Sequence, residues 1–173
     1  MRVLLALILI ICQLFPAESP IVVTSKVITV QGNTSLGSFK CDYRREGLRD
    51  TLLLNESPTK HTIEFDIPVR DFGCGNFLLN KDFRKTIKAE EYPNAKVIVK
   101  NLKRSGKYYT CDLHVNMVGK RLQYRKIALT NIDQQLVGNI VLDFEELDLS
   151  PPRKMGGLIK VEEQLALEIK LGF

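Results

Sequence analysis

Apolar and polar residues alternate along much of this chain with a period of two, the signature of strands with one buried face. From Tyr109 to Met117 every odd position is apolar (Tyr109, Cys111, Leu113, Val115, Met117), and Thr110, Asp112, His114 and Asn116 fall between them. The stretch from His61 to Val69 repeats the pattern, with Ile63, Phe65, Ile67 and Val69 set against Thr62, Glu64 and Asp66. Near the C-terminus Val161, Leu165, Leu167, Ile169 and Leu171 alternate with Glu162, Gln164, Glu168 and Lys170. Leu136 to Phe144 puts Ile140, Leu142 and Phe144 on one face. Shorter candidates at Val22–Val30, Phe39–Tyr43, Ala95–Leu102 and Arg121–Leu129 bring the expected number of strands to eight. Turn-forming pairs separate them: Gly32-Asn33, Ser57-Pro58, Ser105-Gly106, Gly119-Lys120 and Pro151-Pro152.

One segment breaks the alternation. In Phe77–Lys88 the apolar residues Leu79, Phe83 and Ile87 recur every four positions, which predicts a helix, and Pro93 lies beyond its end. The expected class is therefore mainly β, antiparallel, with one short helical insertion. Eight successive one-sided strands must hide their apolar face. A closed barrel does this without leaving edges, and a two-sheet sandwich is the alternative that alternation alone leaves open.

The first residues stand apart from this pattern. Met1-Arg2 supplies one positive charge and is followed by an uncharged run from Val3 to Ala17, shorter than the roughly 20 apolar residues a membrane-spanning helix needs. Residues 1–19 are expected to be a secretory signal peptide cleaved near residues 17–19, leaving one soluble domain at 20–173 in the periplasm or secreted. Apolar residues at 45% and charged residues at 26% exclude a disordered tail. The net charge of +5 in an exported protein points to anionic surfaces or ligands in preference to nucleic acid.

Candidate chemistry is sparse. The chain has two histidines, and His114 shares a strand face with Asp112, as a solvated surface pair also does. No metalloprotease, nucleophile-elbow or phosphate-loop motif occurs, so no catalytic residue, metal or cofactor is expected. Three cysteines follow the signal. Cys111 sits mid-strand on an apolar face, as a small buried hydrophobe does. Cys41 near a strand end and Cys74 in a glycine-flanked turn are the favoured disulfide pair among three choices. Basic residues come in groups, among them Lys81, Arg84, Lys85 and Lys88 around the predicted helix. Either they solubilise the surface or some of them ring an opening.

The segment IPVRDFGCGNFLLNKDFRKTIKAEEYP (67–93), with its glycine-asparagine turn, Asp82-Phe83 and Tyr92-Pro93, resembles the YceI-like lipid- or polyisoprenoid-binding family. So does GKYYTCDLHVNMVGKRLQYRKIAL (106–129) around Gly119, and the tail with Phe144, Pro151-Pro152 and GGLIKVEEQLALEIKL is also similar. The likeness is to exported members of the type seen in Bacteroidetes. Cys74 departs from the commoner small hydroxyl residue in the turn, and Cys111 and Asp112 interrupt a usually plainer strand.

The resemblance implies an eight-stranded lipocalin-like barrel, not an enzyme, that holds a long apolar chain such as a polyisoprenoid. Phe39, Tyr43, Phe65, Ile67, Leu113, Val115, Ile140 and Leu142 all fall on inward phases and are the expected lining. Leu79, Phe83 and Ile87 are expected to form a helical cover at one mouth, with Lys85 and Lys88 near the ligand's polar end. The expected partners are an apolar lipid and, transiently, an anionic membrane surface. The alternative function is an interaction module whose barrel is filled.

Overall fold

A computed structural model describes residues 20–52, 62–106 and 108–173. The segment expected to direct export, the Ser57-Pro58 turn and His61 lie outside them. The described chain forms β1 (Ile21–Thr34), β2 (Gly37–Leu52), β3 (Ile63–Pro68), helix α1 (Phe77–Thr86), β4 (Asn94–Ser105), β5 (Tyr108–Met117), β6 (Lys120–Ile132), β7 (Gln135–Asp143), the two-residue β8 (Arg153–Lys154) and β9 (Ile159–Gly172). All ladders are antiparallel, and the long strands run in the order β2-β1-β9-β7-β6-β5-β4-β3. The eight predicted strands are the eight long strands of a nearly closed barrel.

Closure is uneven around the wall. Among the described residues the outer strands β2 and β3 share no ladder; β2 is instead bridged to the segment after β3, where Asp42 N and Gly73 N each donate to the other residue's carbonyl at 2.9 Å. Beside it the Cys41–Cys74 disulfide ties β2 to the segment after β3, across 33 residues of sequence. Cys111 is free and buried, as expected. A second thin place lies between β6 and β7, whose ladder covers only the four pairs from Leu129↔Gly138 to Ile132↔Gln135. Beyond it, Leu147 of the short turn Glu145–Leu147 is buried beside Leu142 of β7 and Tyr124 of β6.

The helix is shorter than its periodicity predicts. It starts at Asn76, whose side-chain oxygen accepts from Leu79 N at 2.9 Å and so satisfies one of the free N-terminal amides. It ends at Thr86, because Ile87 leaves helical geometry and Lys88 turns into the left-handed region at φ 50°.

The two ends of the barrel differ. Where β1 begins and β9 ends, Val23, Leu52, Leu102, Leu129, Leu136 and Leu171 pack into a plug, and Val23 and Leu136 have no exposed surface at all. The opposite end carries the β1–β2 and β5–β6 turns, helix α1 and the long connection from β7 to β9. Gly32 belongs to this end. A Cβ there would sit 2.5 Å from the Phe39 ring on the paired strand, so the absent side chain lets that ring lie across the wall.

Candidate ligand-binding site

Three small cavities lie along the barrel interior, and neighbouring cavities share side chains. The outermost, about 120 Å³, is roofed by Leu79 and Phe83 of α1 with Ile87 just past its end, and walled by Phe39, Cys41, Val161 and Leu165. Behind Phe83, Ile87, Phe144 and Leu165 lies a second space of about 90 Å³, lined by Ile67, Val115, Ile140 and Leu142 among others. A third, about 30 Å³, lies toward the plug between Phe65, Leu113, Cys111 and Leu129. An apolar cavity of about 150 Å³ stays dry and takes up a ring the size of benzene. Spaces of this size in a row suit a narrow linear chain better than a bulky body. Phe83 and Ile87 stand between the first two and would have to swing for a continuous chain to thread.

Seven of the eight residues expected to line the interior border these cavities: Phe39, Phe65, Ile67, Leu113, Val115, Ile140 and Leu142. Tyr43 is buried but packs into the wall instead, its ring 5.7 Å from that of Phe72, which in turn stacks on Phe83 at 5.4 Å. That aromatic row connects α1 to the disulfide-bearing seam. Lys85 and Lys88 lie on the outer face of α1, around a surface depression with Arg84 and Lys81, and border none of the three interior cavities. The basic residue that does reach the outer cavity is Lys154, paired with Asp82 at 2.7 Å.

The interior is not purely apolar. The Tyr124 hydroxyl is buried without a hydrogen-bond partner among the described residues, on a side chain that lines the middle cavity. Burial, then Glu146 and Asp143, push its phenol up to about 12. It is therefore a neutral donor, and the nearby carboxylates disfavour an anion there. Lys26 is buried at 5% exposure, with its stem on the innermost cavity and its ammonium 4.3 Å from the centre of the Phe65 ring. Burial lowers its pKa, partly offset by Asp50 and Asp66 and reinforced by Arg45.

Sequence reasoning missed this charge, although the signal was available: Lys26 shares its phase with Ile28 and Val30. Cys111 lies in the same cavity wall. Burial raises its thiol to about 12, so it is inert at neutral pH.

Asp112 and His114 do not form a reactive pair. Asp112 sits at a bulge between Cys111 and Leu113. It accepts from Asn101 Nδ2 at 2.6 Å and from Lys126 N at 2.8 Å. Asn101 and Lys126 both have positive φ (53° and 55°), so one carboxylate pins two irregular points of the neighbouring strands. These hydrogen bonds hold its pKa below the usual range. Asp112 thus has a structural use. Among the described residues no cluster of three or more His, Cys, Asp or Glu is arranged to hold a metal.

No protein-family profile and no curated protein matches the sequence. The fold does find relatives. The crystal structure of Burkholderia cenocepacia BcnA superposes with a TM-score of 0.59 at 14% identity, covering 85% of this chain and 94% of that one. A polyisoprenoid-binding domain from Saccharophagus degradans, implicated in plant cell wall breakdown, gives 0.57 at 9% identity, covering 86% and 97%. At such low identity the likeness is one of fold, and it runs over nearly the whole length of both structures. The chain has the barrel fold of the YceI-like proteins that its sequence resembles.

Proposed function

We propose that this protein is an exported, non-enzymatic carrier that holds a long apolar ligand, a polyisoprenoid or other lipid, inside the barrel. The observation that carries this reading is the row of apolar cavities between α1 and the plug, in a barrel whose fold is shared with a polyisoprenoid-binding domain. Apolar surface moved from water into such a lumen contributes roughly 25 cal/mol per Å², so a threaded chain needs few polar contacts to bind tightly.

The unpartnered Tyr124 hydroxyl favours a ligand that brings one uncharged oxygen to the middle cavity. The Cys41–Cys74 disulfide supports residence in an oxidising compartment, and no helix among the described residues is long and apolar enough to cross a membrane.

The test is to extract the purified protein with organic solvent, analyse the extract by mass spectrometry, and titrate the stripped protein with a fluorescent isoprenoid. A co-purified lipid or micromolar uptake is expected. Neither one appearing would leave the filled interaction module as the better account. Tyr124→Phe should weaken a prenyl alcohol several-fold and leave a plain hydrocarbon unchanged.

A further inference from the structure

The five most exposed large apolar side chains of the described protein all belong to the mouth. Leu36 is 75% exposed, Phe77 78%, Leu78 70%, Met155 71% and Leu158 74%, whereas the remaining exposed apolar residues, scattered elsewhere, reach at most 56%. They come from three elements: the β1–β2 turn, the first turn of α1, and the turn before β9.

These elements are fastened together. Ser35 Oγ donates to Leu158 O at 2.8 Å and Ser35 N donates to Lys160 O at 3.1 Å, joining the first to the third. The Lys154–Asp82 pair joins the third to α1. Single exposed apolar residues need no explanation, but a fixed group of five at the opening of an apolar lumen marks an interaction site.

Charge identifies the partner. Lys81, Arg84, Lys85 and Lys88 project from the outer side of α1 and its end, and the one carboxylate within that helix, Asp82, faces inward to Lys154. Arg153 adds a further exposed cation beside Met155. Carboxylates lie around this basic face rather than within it: Glu90 and Glu91 past the end of α1, Glu145 and Glu146 in the β7–β9 connection, Asp148 paired with Lys120, and Glu162 accepting from Asn33. Protruding apolar tips beside the basic face of α1 match an interface of acyl chains beneath anionic headgroups, as they do in amphipathic helices that lie on membranes. The tips project from three separate turns instead of one continuous apolar strip, an arrangement that a fluid lipid surface accommodates more readily than a protein partner needing close packing.

We infer that the mouth docks on the surface of a bilayer containing anionic lipid, with Phe77, Leu78, Met155 and Leu158 entering the headgroup layer. The meaning of this docking, ligand exchange with the membrane, rests on the carrier reading, but the docking itself can be measured without any ligand.

The chain has no tryptophan, so Phe77→Trp provides a single reporter. Its emission should shift to the blue on adding phosphatidylglycerol-containing vesicles and stay unchanged with vesicles of phosphatidylcholine alone. In flotation assays the unaltered protein should rise with the anionic vesicles, less so at high salt. The pairs Phe77→Ser/Leu78→Ser and Met155→Ser/Leu158→Ser should each reduce the bound fraction at least about tenfold, without changing Tm or uptake of a fluorescent isoprenoid from solution.

An unshifted Phe77→Trp spectrum, or flotation that the serine pairs leave intact, would overturn the inference. So would a dimer that the serine pairs disperse, because the face would then be an interface between copies. A protein that floats as described but takes up no isoprenoid would sink the carrier reading and leave the docking surface standing.

Discussion

At the plugged end, Val23 and Leu136 lose all contact with solvent, and the β1–β2, β1–β9 and β7–β9 ladders continue into the plug. At the mouth, β6 and β7 have parted, β2 is bridged only to the segment after β3 among the described residues, and a ten-residue helix with no buried residue of its own lies over the opening. The same strands serve both ends. What differs is whether the inward side chains meet one another or stop short and leave space. Stability is therefore concentrated at one end, and access at the other.

The sharpest way to break this contrast is to place one substitution in both regions. Leu136→Arg would bury a charge among the apolar side chains of the plug, on the strand next to the one that faces buried Lys26, at a cost of more than about 4 kcal/mol, a large part of a domain's typical stability. That variant is expected to be unfolded by circular dichroism. Ile140→Arg faces the middle cavity, along which its guanidinium can reach toward the mouth. It should fold with a lowered Tm and lose at least about tenfold in isoprenoid affinity. If both variants unfold alike, the interior is packed throughout and the two ends do not differ in kind.

The seam offers the next largest effect. Cys41→Ser with Cys74→Ser removes a 33-residue cross-link and should cost about 2–4 kcal/mol in urea unfolding. The loss should fall on the mouth, because the bridge at Asp42 and Gly73 would then hold β2 to the segment after β3 without the cross-link beside it. A loss below about 0.5 kcal/mol would mean that the plug alone keeps the barrel shut.

Hydrogen exchange compares the two regions without mutation. Amides of α1 should exchange at least about 100-fold faster than those in the middle of β5, since the helix is held by a few apolar contacts and β5 is paired on both sides. Equal protection would make α1 an integral part of the core, not a cover.

Much of this was readable in the chain, and the reason is periodicity. Alternation at Tyr109–Met117 placed Leu113 and Val115 inside, and the four-residue spacing of Leu79, Phe83 and Ile87 found the face of α1 that meets the lumen. The mid-strand setting of Cys111 was enough to favour Cys41 and Cys74 as the bonded pair. What alternation could not carry were the places where it slips. The bulge between Val23 and Ser25 shifts the inward phase of β1, so Ile21 and Val23 face in before it, and Lys26, Ile28 and Val30 after it. A lysine on the apolar phase looks like a polar interruption until the register is known. The bulges pinned by Asp112 and the parting of β6 from β7 depend on contacts between strands, which no single strand's pattern contains.

Lys26 gives the smallest and most specific prediction. Its ammonium is buried near the plug, and burial lowers its pKa below the value it has in the unfolded chain. Below the folded pKa both states carry the charge, so the native state bears its full desolvation cost. Between the folded pKa and about 10.4, the unfolded chain still holds a proton that the native state has released, so stability rises with pH. Lys26→Met keeps the stem that packs beside Phe65 and removes the charge. It should raise Tm at neutral pH by a few degrees, and its advantage should shrink as the pH climbs toward 10. An advantage constant with pH would attribute the gain to packing alone. A lowered Tm would mean that the Phe65 ring together with Asp50 and Asp66 more than repays the burial, and that the charge helps to close the far end of the lumen.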